Sequence, residues 1–98
     1  MEKDRDTPVL YDFARAVAHE AQYQRTLHAE ADATKTPLEW METLLLLVAK
    51  SRAYDDEGNT EKAMHHLITS AAVLASWHAQ LVASLKNRAI RDSFTFGP

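Results

Sequence analysis

Apolar residues recur along this chain at spacings of three and four, the period of a helix with one buried side. Leu10, Phe13, Ala14, Val17, Ala21 and Leu27 share one face, and Asp12, Arg15, His19, Gln22 and Arg25 lie opposite. The pattern predicts a first helix over about 8–31, with Thr7 as its cap and Pro8 at the first helical position, where a missing N–H costs nothing. Thr36-Pro37-Leu38-Glu39 is the strongest start signal in the chain. It reads as a capping box with proline at the first helical position, opening a second helix over about 37–54. The middle of that helix, Leu44-Leu45-Leu46-Leu47-Val48, is apolar on every side and needs neighbours on every side. Asp55-Asp56-Glu57-Gly58-Asn59 has the chemistry of a turn. Asn59 or Thr60 then caps a third helix over about 60–89. Met64, Leu67, Ile68, Ala71, Leu74, Ala75, His78, Leu81, Val82 and Leu85 form one stripe on it, while Val73 and Trp77 begin a second. Residues 1–7 and 92–98 are expected to be extended, with Phe94 and Phe96 alternating along the tail.

These elements predict an all-α fold of three main helices. Ninety-eight residues make one domain, spanning 1–98, with a core of modest size. Three helices cannot surround an all-round apolar segment and a doubly striped helix. The bundle is therefore expected to complete its core by oligomerisation, as a homo-oligomer, dimer or tetramer. Leu44, Leu45, Leu47, Val48, Val73 and Trp77 are the interface candidates. Two glycines and three prolines, at or beyond the helix ends, agree with long uninterrupted elements.

A net charge of −3, with both signs mixed along the chain, argues against nucleic acid, which requires a basic face. The longest apolar run, Leu44 to Ala49, is far shorter than the ~20 residues of a membrane span. Together with a charged N-terminus lacking a signal-like apolar stretch, and with the absence of cysteine, this predicts a cytoplasmic protein without membrane contact.

Few motifs carry chemistry. His19-Glu20 starts like a zinc-protease helix, but the second histidine that motif needs is Tyr23. His65 and His66 are adjacent and point ~100° apart on a helix, so they chelate one ion poorly, and His78 falls inside the apolar stripe. Asp55-Asp56-Glu57 lacks the alternation of a calcium loop. Neither a phosphate-cradling glycine loop nor a serine-centred elbow is present. Glu39 and Glu42, three apart on one helix face, are weak candidates for metal ligands, because capping already accounts for Glu39.

The stretch from Trp40 to Trp77 resembles the MazG-like all-α nucleoside triphosphate pyrophosphohydrolases, especially the short versions carried by phages and prophages. Trp40-Met41-Glu42-Thr43-Leu44 resembles the opening of the family's metal-binding helix. His66-Leu67-Ile68-Thr69-Ser70-Ala71-Ala72-Val73-Leu74-Ala75-Ser76-Trp77 resembles its second helix, and Ala18 to Arg25, with Glu20 and Gln24, faintly resembles the helix before them. The resemblance covers about the middle half of the chain. In the register that aligns both tryptophans, the family's E-E-x-x-E positions hold Leu46, Leu47 and Lys50, and its E-x-x-D positions hold His66 and Thr69. In that family the acids hold the Mg²⁺ ions that neutralise the triphosphate and activate water. Leucine cannot ligate Mg²⁺, and Lys50 would repel it.

The resemblance therefore implies a pseudoenzyme: a non-catalytic interaction or regulatory protein of phage or mobile-element type, with no cofactor and with a cleft made apolar enough to take a partner helix. Lys50, Arg52 and His66 could alternatively hold an anion without metal. Two other readings stand beside it. One is a pyrophosphohydrolase with relocated Mg²⁺ ligands at Glu39 and Glu42, joined by Glu61 or Asp55. The other is an unrelated helical-bundle dimer.

Overall fold

The third helix organises the molecule. A computed structural model describes residues 2–95, with side chains over 8–92. Three helices follow in order: α1 (Glu2–Thr34), α2 (Pro37–Asp56) and α3 (Thr60–Thr95). No strand occurs among the described residues. α2 folds back antiparallel on the first part of α3 through a short turn. Gly58 sits there at φ 80°, a backbone state that other residues rarely adopt. α1 lies on a different side of α3, and α1 and α2 do not pack on one another.

The helix starts are locally determined. At α2 the Thr36 Oγ1 accepts the Glu39 N–H (3.2 Å) and the Glu39 carboxylate accepts the Thr36 N–H (3.0 Å), a complete capping box. At α3 the Asn59 side chain accepts the Lys62 N–H (3.3 Å). The bond from the Thr36 N–H, seconded by the Thr36 hydroxyl, holds the exposed Glu39 carboxyl below its ordinary range. A carboxyl depressed in the folded state stabilises above its unfolded value, about 4.3, and that support is lost as pH falls through the folded value. Thr36→Ala should lower stability by about 1 kcal/mol at neutral pH. It should also flatten the decline in melting temperature below pH ~4.3, read by circular dichroism melts across pH 2–7. An unchanged neutral midpoint would show that the cap contributes nothing.

Both outer ends differ from expectation. α1 begins at Glu2, so residues 2–7 are helical rather than extended, Thr7 is no cap, and Pro8 lies inside the helix. Proline as the seventh helical residue removes one backbone hydrogen bond and crowds the carbonyl four residues earlier, so the first turn of α1 is held more weakly than the rest. α1 also runs on to Thr34, past the expected end near Ala31, with a kink at His28 (φ −124°, ψ 16°). α3 continues to Thr95, so residues 92–95 are helical. Phe96 and the rest of the tail lie outside the described residues.

The core is small in both number and size. Ala21, Trp40, Ala63, Ala72 and Val73 are its buried apolar residues, and Ser51, Ser70 and Ser76 are buried among them. Small side chains on α3 let the neighbouring helices approach closely. Ser51 donates to the Ala63 carbonyl (2.7 Å), tying α2 to α3 near the turn. Trp40 is the one large side chain that is fully buried among the described residues, at 1% exposure. The radius of gyration is 17.5 Å, against about 13 Å for a compact chain of this length. The accessible surface is 7953 Å², about 2,300 Å² more than expected for a compact monomer of this mass.

Candidate functional site

A groove of about 450 Å³ lies where α1 and α2 diverge over α3. Its floor is apolar, with Leu27, Trp40, Leu47 and Val73, while Glu20, His28, Asp32 and Lys35 supply polar atoms along it. One polar knot shapes this region. The Gln80 side-chain amide donates to two backbone carbonyls, those of Asp32 and Lys35 (2.8 Å each), and its oxygen accepts the Trp40 indole N–H (3.2 Å). Lys35 Nζ lies 4.4 Å from the Trp40 ring centre and 3.4 Å from Asp32 Oδ1. Trp77 stacks on the other tryptophan, with ring centres 6.3 Å apart and planes within 5°. A single amide thus fixes the end of α1, the start of α2 and the middle of α3 against one another. Nothing in the hydrophobic pattern singled out Gln80, Asp32 or Lys35. Glu20 and Gln24 do meet in the groove, with the Gln24 amide donating to the Glu20 carboxylate at 3.5 Å.

The positions aligned with the family's acids scatter. Leu47 and Thr69 line the groove, the latter donating its hydroxyl to the His65 carbonyl (3.0 Å). Leu46 and Lys50 are exposed and lie outside it. His66 stacks on Tyr54 (5.3 Å between ring centres), with its Nδ1 buried and without a hydrogen-bond partner. Arg52 lies 3.8 Å from Asp56 on the surface. Glu39 and Glu42 are exposed, and Glu39 is engaged in its cap. No cluster of three histidine or acidic residues with metal-site geometry occurs among the described residues.

No family model, characterised protein or solved structure matches the chain. The MazG-like resemblance accordingly rests on the residues quoted for it.

A second feature of the surface is its exposed apolar side chains. Val9, Leu10, Tyr11, Phe13, Leu27, Leu38, Leu45, Met64, Leu74, Leu81 and Leu85 are all exposed. Among the expected interface residues, Leu45 and Val48 are exposed, Leu44 and Leu47 are half-buried, Val73 is buried within its own chain and Trp77 is half-buried against Trp40. α3 also differs from the reading based on uninterrupted runs. Over Thr60–Asp92 it is long and apolar enough, by length and composition, to cross a membrane. Serine, histidine and glutamine break its runs without lowering its mean hydropathy far.

Proposed function

We propose that this chain is a non-catalytic interaction or regulatory protein on a MazG-like helical scaffold, working as a homo-oligomer. The observation that carries the proposal is the mismatch between core and surface. Among the described residues one large side chain is fully buried, while a long series of leucines, aromatics and methionines is left in water. Contiguous exposed apolar surface marks interaction sites. The aligned cleft supports the same reading: Leu47 and Thr69 stand in it where the family's chemistry needs carboxylates.

The relocated-ligand reading has less support. Glu39 and Glu42 project from the first half of α2, whereas Asp55 and Glu61 sit at the opposite end of the α2–α3 hairpin. About 20 Å of helix rise separates the two sets, too far for one pair of ions.

The test is pyrophosphate release from the eight common nucleoside triphosphates with Mg²⁺ or Mn²⁺, run beside a Glu39→Gln, Glu42→Gln double variant. No metal-dependent turnover is expected from either protein. Robust activity abolished in the double variant would sink the proposal and establish the relocated-ligand enzyme.

A further inference from the structure

We propose that the free face of the α2–α3 hairpin is the seat of a second copy of this chain. The proposal names the partner surface for the homo-oligomer inferred above and rests on that reading. On α3, Met64, Leu67, Ala71, Leu74, His78, Leu81 and Leu85 follow one another at alternating spacings of three and four. On α2, Leu38, Met41, Leu45 and Val48 do the same. This is the period of helices that pack side by side, knobs into holes. Yet the face is bare: Leu38 is 67% exposed and Leu85 63%.

Both stripes look the same way. On α3 the stripe lies about a quarter turn from Ala63 and Ser70, which face α2, and well away from the α1 side. On α2 it lies a similar rotation from Trp40 and Ser51, which face α3. Because the two helices are antiparallel, those rotations bring the stripes to one side of the hairpin. Val48, Met64 and Leu67 lining a common groove confirms the juxtaposition near the turn. The α3 stripe alone is ~32 Å long.

Two observations select a second copy as the occupant. The excess accessible surface, about 2,300 Å² per chain, exceeds the ~800 Å² that each partner hides in a standard interface and falls within the ~1,000–2,500 Å² that each partner hides in an obligate one. The α3 stripe is self-complementary in kind, since between Met64 and Leu85 α3 carries no lysine, arginine, aspartate or glutamate, and Arg52 and Asp55 of α2 meet the face only at its turn end. A two-fold axis sets this stripe against itself and closes the assembly as a dimer. Two hairpins joined this way form a four-helix bundle, with each α1 on the outside.

Sedimentation velocity decides the matter, with circular dichroism as the check on folding. The wild-type chain should sediment as a dimer at high micromolar concentration. A Leu74→Glu, Leu81→Glu double variant should sediment as a helical monomer, while Leu46→Glu, on an exposed position outside the face, should remain dimeric. Should the double glutamate variant unfold, Leu74→Ala, Leu81→Ala serves in its place and should raise the dimer dissociation constant about tenfold or more. A wild-type monomer would overturn both this proposal and the assembly reading. A dimer indifferent to the face variants, or split equally by Leu46→Glu, would overturn the face alone. A monomer that co-sediments with phosphatidylcholine/phosphatidylserine vesicles would assign the face to a membrane and overturn the proposal.

Discussion

Trp40→Ala is expected to cost about 3–5 kcal/mol, the range for removing a large buried aromatic. The environment places it toward the upper end. Trp40 is 1% exposed, stacks on Trp77, lies under the Lys35 ammonium and donates its indole N–H to Gln80. Against a typical net stability of about 5–15 kcal/mol, such a loss approaches global unfolding. Trp40→Phe separates the contributions. It keeps much of the ring contact but strands the Gln80 oxygen, and should cost less than the alanine change. Urea unfolding followed by Trp77 fluorescence gives both values. An alanine variant with an unshifted midpoint would mean that the tryptophan pair is not the core of this fold.

The parts of this architecture that are local in the chain were readable from it. The capping box at Thr36 and Glu39 needs only four consecutive residues, and the structure contains it as expected. Helix periodicity located all three helices, because any helix with one packed side leaves that record. The outer helix ends were not readable, since nothing in residues 2–7 or 92–95 forbids helix and no breaker marks a stop. Partner assignment was harder still. Val73 and Trp77 looked like residues for another subunit, yet they are used within the chain. A stripe records that something covers it, not which element does.

The groove shows the same limit. Alignment on two tryptophans fixes a register along α2 and α3, but only Leu47 and Thr69 of the aligned positions line the groove. Gln80 is the clearest omission. Its partners Asp32 and Lys35 lie 48 and 45 residues away, and a single amide in a long helix carries no periodic signal. A half-buried amide with three hydrogen bonds emerges only once the helices cross.

Ala72→Leu is expected to detach α1 while sparing the α2–α3 hairpin. Ala72 is fully buried, at 0% exposure. It lies on the α1 side of α3, one turn from Ser76, which shares a groove with Arg25 and Ala29 of α1. Leucine there adds three carbons where the backbones are already close, and overpacking of this kind costs about 1–3 kcal/mol. The strain need not spread evenly. α1 packs on α3 alone, so the cheapest relief is for α1 to move away. The hairpin keeps its own contacts, Ser51 to Ala63 near the turn and Trp40 to Trp77 further along. Hydrogen exchange should therefore show protection falling across α1 residues 16–31 and persisting in residues 40–54 and 63–77, a sub-global opening. Equal loss of protection in all three helices would mean that the molecule opens as one unit, and that α1 is bound to the hairpin more tightly than its single packing partner implies.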